Sequence, residues 1–96
     1  METTWSELPG AESDVIDLCR GLIRLESSTF GDSPLNVGED DAAAYAAEML
    51  RDAGWQPEVF ATTDSSRRGV HLRIPGTDPS SGALLLHGHL DVVPAI

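Results

Sequence analysis

Two stretches of this chain place apolar residues at helical spacing. Val15, Leu18, Cys19, Leu22 and Leu25 recur every three or four positions, with Ile16 and Ile23 widening the stripe, and predict a first helix over Ser13 to Leu25. Ser13 is its expected N-cap, Asp14 and Asp17 suit the positive end of the helix dipole, and Arg20 and Arg24 suit the negative end. Gly21 weakens this helix by roughly 1 kcal/mol relative to alanine. A second helix is expected over Val37 to Ala53, capped by Asn36, with Glu39 three positions later as in a capping box. Its apolar face is made of Ala42, Tyr45, Ala46, Met49, Leu50 and Ala53, small enough for close packing on a sheet. Gly54 suits the left-handed residue that ends a helix, and Trp55 is placed to pack back on the last turn.

The period then shortens. Glu58-Val59-Phe60-Ala61 reads as a short strand, Thr62 to Arg68 as a polar turn, and Val70 to Ile74 as a strand with one wet face. Pro75 to Gly82 has the composition of a loop. Ala83-Leu84-Leu85-Leu86 is a continuous apolar run, the pattern of a strand covered on both faces. Residues 1–10 read as a loosely held, flexible arm broken by Pro9-Gly10, and residues 26–36 as a loop. The expected fold class is α/β, two helices followed by the strands of a mixed sheet, with further strands missing from residues 11–96.

Charge and composition narrow the function. Sixteen acids against six arginines, with no lysine, give the 96-residue chain a net charge of −10. Clustered bases of the kind that bind a phosphate backbone or an anionic membrane are lacking, so neither nucleic acid nor membrane is an expected partner. The acidity is uneven: residues 1–64 carry fourteen acids and three arginines, residues 65–96 two acids and three arginines. It therefore reads as the solvated surface of the helices. The N-terminal sequence lacks the basic and apolar regions of a secretory signal, and a single cysteine, Cys19, excludes an internal disulfide. Both features point to a cytoplasmic protein. Cys19 lies on the apolar stripe and reads as a core residue, Trp5 and Trp55 as packing residues, and His71 as solvent-facing.

The candidate chemistry is in His87-Gly88-His89-Leu90-Asp91-Val92-Val93-Pro94, beyond the carboxyl end of the apolar run, where open α/β sheets bind ligands. Neutral imidazole is a good zinc ligand, and a ligating histidine commonly gives its other N–H to a carboxylate. In an extended segment His89 and Asp91 point the same way. Equally, one histidine could be a satisfied structural residue and Asp91 a helix cap. A zinc site also needs three or four protein ligands, more than this string supplies.

The string Leu84-Leu85-Leu86-His87-Gly88-His89-Leu90-Asp91-Val92-Val93-Pro94 closely resembles the first zinc motif of the dinuclear zinc hydrolases that include aminoacylase, acetylornithine deacetylase, succinyl-diaminopimelate desuccinylase and carboxypeptidase G. Leu22-Ile23-Arg24-Leu25-Glu26-Ser27-Ser28 resembles that family's opening helix and serine-containing loop, and Glu48-Met49-Leu50-Arg51-Asp52-Ala53-Gly54-Trp55 its second helix. The resemblance covers about residues 12–96. It implies the N-terminal part of a three-layer zinc-exopeptidase-like catalytic domain, with the lid or dimerisation domain absent. It implies His89 as a ligand of one zinc and Asp91 as the carboxylate that orients it, with His87 a minor candidate ligand. It further implies two zinc ions in the full-length enzyme, with cobalt a possible substitute, and an N-acyl amino acid or small peptide as substrate. Monomer and homodimer both remain open. The bridging aspartate, the Glu-Glu pair and the later ligands of that family have no counterpart in these residues, so the 96-residue chain alone is expected to be inactive. Two alternatives stand beside this reading. One is a non-catalytic acidic interaction domain with a vestigial metal motif. The other is a metallo-β-lactamase-like hydrolase, whose His-x-His-x-Asp-His run is matched at His87, His89 and Asp91 but has Val92 in place of the last histidine.

Overall fold

A computed structural model describes residues 9–28, 38–63 and 67–93. Its elements run α1 (Ala11–Ile23), α2 (Asp40–Asp52), β1 (Glu58–Phe60) and β2 (Gly69–His71), a small α/β unit. Among the described residues no helix is long and apolar enough to cross a membrane. The expected arm lies outside the described residues except for Pro9-Gly10, which forms a turn.

That turn moves the start of α1. Gly10 takes a left-handed conformation at φ 78° and is the N-cap, its carbonyl accepting the Asp14 N–H at 2.9 Å. The helix therefore begins two residues before Ser13, which is not its cap, and it ends at Ile23, before Leu25. Glu12 and Asp14 occupy the first turn and Arg20 the last, in the senses the helix dipole favours. A similar correction applies to α2. Gly38 sits at φ 79°, and a left-handed residue cannot lie within a right-handed helix. The helix starts at Asp40 with Glu39 as N-cap residue and no side-chain cap hydrogen bond, so the expected capping box is not formed. Asn36 and Val37 lie outside the described residues. At the other end Gly54 adopts φ 95° as expected, and the Trp55 N–H donates to the Leu50 carbonyl at 3.0 Å. The Trp55 side chain remains exposed.

The core is small and belongs to α2, where Ala42, Ala43 and Ala47 are buried. The buried face is thus rotated from the one expected: Tyr45, Ala46, Met49 and Leu50 are only half-buried and Ala53 is exposed. The small residues let the β1–β2 hairpin pack against α2. Its strands are antiparallel, with Glu58 opposite His71, Val59 opposite Val70 and Phe60 opposite Gly69. The Phe60 ring covers the space a Gly69 side chain would take. The ladder ends before Ile74 because the next partner of β2 would be Pro57, which has no N–H to donate.

The first helix packs differently from expectation. None of its residues is buried; Val15, Ile16, Leu18 and Ile23 are exposed, and so is Cys19, which is not a core residue. Its contact with α2 comes at Gly21, where a Cβ would overlap the Tyr45 ring and hydroxyl. Gly21→Ala is therefore expected to destabilise the unit. Overpacking costs about 1–3 kcal/mol, and the helix propensity gained returns only about 1 kcal/mol. Urea unfolding measures the difference; a net gain in stability would show that Tyr45 swings aside at no cost.

The largest departure is at Ala83–Leu86, which forms no strand. Leu84, Leu85 and Leu86 are 86%, 81% and 85% exposed. A strand is defined by its neighbours, and no described strand lies beside this run, so neither its backbone groups nor its side chains are covered. The radius of gyration is 16.1 Å, against about 13 Å for a typical domain of 100 residues. The accessible surface is 8323 Å², against about 5,300 Å² for a folded monomer of this mass.

Candidate metal-ligand site

The motif segment is anchored at its C-terminal side. The Val92 N–H donates to the Ser27 carbonyl at 3.1 Å, and Ser28 and Val92 form an isolated parallel bridge. Ser27 is buried beneath this contact. Sequence reasoning treated Ser27-Ser28 as plain loop; its role is to hold the end of the motif against the end of α1. The loop is itself tied down, since the Ser28 N–H donates to Glu26 Oε1 at 2.9 Å. The Ser28 hydroxyl and N–H together hold the Glu26 carboxyl below its ordinary pKa.

Just ahead of this anchor, His89 and Asp91 come together as their spacing suggests. His89 Nδ1 lies 2.9 Å from the Asp91 carbonyl oxygen and 3.1 Å from Asp91 Oδ1. Both are acceptors, so Nδ1 is the donor, which in the neutral ring places the lone pair on Nε2. The His89 side chain is 80% exposed. A carboxylate that fixes one ring nitrogen and leaves the other to a metal is the usual setting of a ligating histidine. His87 is also exposed, two residues earlier. No group of three or more His, Cys, Asp or Glu side chains able to hold a metal occurs among the described residues. His89 with Asp91 thus fits one corner of a zinc site, and the described residues leave its other corners to donors from elsewhere.

Two clefts flank the motif, with Leu90 lining both. The first, about 740 Å³, lies between the end of α1 and residues 89–93, with Leu22, Leu25, Val92 and Val93 in its apolar wall and His89 on its rim. The second, about 550 Å³, lies on the Asp91 side and is lined by Glu39, Thr62, Arg67 and Arg68. Its floor is an ion pair that sequence reasoning missed. Arg67 Nη2 donates to Glu39 Oε1 at 2.8 Å and Nε to Oε2 at 3.2 Å, a two-point pairing. Arg68 Nε lies 3.3 Å from Asp40 Oδ1. Glu39 and Asp40 therefore have arginine partners just ahead of β2. The Thr62 hydroxyl donates to the Arg67 carbonyl at 2.6 Å and closes the β1–β2 connection.

The remaining expectations are quickly placed. His71 is exposed, as expected of a solvent-facing residue. Pro75–Gly82 is a loop, and within it Asp78 accepts from the Ser80 N–H and from the hydroxyls of Ser80 and Ser81. These bonds, the Ser80 hydroxyl first, lower the Asp78 pKa. Trp5 and Pro94 lie outside the described residues. No protein family, curated protein or solved structure compared with this chain matches it.

Proposed function

We propose that this chain is the N-terminal portion of the catalytic domain of a zinc-dependent hydrolase that cleaves the amide bond of N-acyl amino acids or small peptides. The observation that carries the reading is the His89–Asp91 pair, with Nδ1 engaged by Asp91 and the His89 side chain largely exposed. It adds a local geometry to the resemblance of residues 84–94 to the zinc motif of the aminoacylase and carboxypeptidase G family.

Zinc in such a site supplies polarisation of the amide carbonyl and a lowered pKa for the attacking water. The residues of this chain do the holding. Asp91 keeps the Nδ1 proton and the ring orientation of His89, which favours donation from Nε2. Ser27, through its carbonyl, fixes the backbone immediately after Asp91. The apolar cleft beside His89 offers a place for the acyl group or an apolar side chain of a substrate. The remaining ligands and the general base belong to sequence outside these 96 residues.

The test is made on the longer protein that carries this chain. It is expected to hold about two zinc ions per chain, as two-metal hydrolases do, and to release free amino acid from N-acyl substrates. Its sequence beyond residue 96 is expected to contain a bridging aspartate and a Glu-Glu pair. An active enzyme without bound metal would overturn the proposal.

A further inference from the structure

The cleft of about 740 Å³ between the end of α1 and residues 89–93 is apolar, with a single acid in its wall. Leu22, Leu25, Leu90 and Val92 supply apolar surface, and Glu26 and His89 are the titratable residues of the described lining. Glu26 is held in place there. Its Oε1 accepts the Ser28 N–H at 2.9 Å, its carboxylate also accepts the Ser28 hydroxyl, and Ser28 itself lines the cleft. Among the described residues of this lining there is no arginine; Arg67 and Arg68 line the cleft on the Asp91 side.

We propose that the cleft beside His89 receives the acyl group of the substrate and favours uncharged, apolar acyl chains over those that end in a carboxylate, with Glu26 as the residue that turns the latter away. This selectivity presupposes the hydrolase reading above and narrows its substrate class. Charge assigns the cleft to the acyl side. The amino acid released from an N-acyl amino acid carries its α-carboxylate next to the scissile nitrogen, and a wall with a carboxylate and no arginine repels that end. The acyl chain carries the methylenes that an apolar wall takes out of water. Against an acyl chain with its own carboxylate, Glu26 acts as an introduced repulsion, which discriminates without any added contact to the favoured chain. Two like charges about 4 Å apart in water repel enough for a roughly fivefold preference, and salt screens it.

The longer protein is tested with N-acetyl, N-hexanoyl and N-glutaryl derivatives of one amino acid, the last two similar in chain length. The kcat/KM for hexanoyl is expected to exceed that for acetyl by up to about fourfold per methylene buried. It is expected to exceed that for glutaryl by about fivefold at low ionic strength, and by less as salt is added. Glu26→Gln, whose amide oxygen still accepts from Ser28, is expected to abolish most of the hexanoyl-to-glutaryl preference and its dependence on salt. Leu22→Ala is expected to lower the hexanoyl-to-acetyl ratio and keep the salt dependence. Ratios within one variant do not change with the fraction of it that folds. Calorimetric binding of the same three compounds to protein stripped of metal reads the preference without turnover. Glutaryl favoured over hexanoyl, or a hexanoyl-to-glutaryl ratio that Glu26→Gln leaves unmoved, would overturn the proposal and leave the hydrolase reading standing. Absence of turnover with all three compounds would count against the hydrolase reading, and the binding series then decides the selectivity of the cleft by itself.

Discussion

Asp91→Asn is expected to lower the zinc affinity of the longer enzyme by roughly 10–100-fold, and His89→Ala to remove the metal held at that position together with activity. The two substitutions act on different atoms. His89→Ala deletes the donor itself. Asp91→Asn leaves the backbone carbonyl contact to Nδ1 but replaces the carboxylate 3.1 Å away with a neutral amide, so the ring keeps part of its orientation and loses basicity. Competition with a chelator of known affinity measures the first effect, and metal content after gel filtration the second. Equal zinc affinity in Asp91→Asn and the parent would deny Asp91 an orienting role and reduce the pair to a surface contact.

Arg67→Ala is expected to lower the stability of the unit by about 1–3 kcal/mol, the range for leaving a buried polar group unsatisfied. The Glu39 side chain is only 10% exposed, and Arg67 bonds both of its oxygens. Without the guanidinium, that carboxylate keeps only the favourable field at the start of α2. Arg67 is itself 46% exposed, so water screens part of the pairing and the lower half of the range is expected. Glu39→Gln should cost less than Arg67→Ala, because the arginine can turn to solvent. Urea unfolding of both single variants and the double variant isolates the coupling. A cycle with no coupling energy would show that the pair merely decorates the hairpin. For a unit with so small a buried core, a loss of this size is a large share of the total.

Glu39 also shows where sequence reasoning loses its grip. Its place three positions after Asn36 suggested a capping-box role. Its real partner lies on the hairpin, and no local pattern pairs two such distant positions. Ser27 repeats the lesson: a serine in a loop has no signature for accepting a hydrogen bond from Val92. The His89–Asp91 contact was legible because its two members are two residues apart, so extended backbone alone brings them together.

What the amino-acid sequence by itself determined are the features governed by nearest neighbours. These are the existence of the two helices, the left-handed stop at Gly54, the polar loop around Asp78, and the juxtaposition of His89 with Asp91. Tertiary structure decided the rest. It set which face of α2 is buried: where the helix meets the hairpin and α1, Ala42, Ala43 and Ala47 turn inward and Met49 is only half-buried. It placed Cys19 in solvent, because no described residue covers that side of α1. It left Leu84–Leu86 without a ladder, because apolar character can favour a strand but only an adjacent chain can supply its hydrogen bonds.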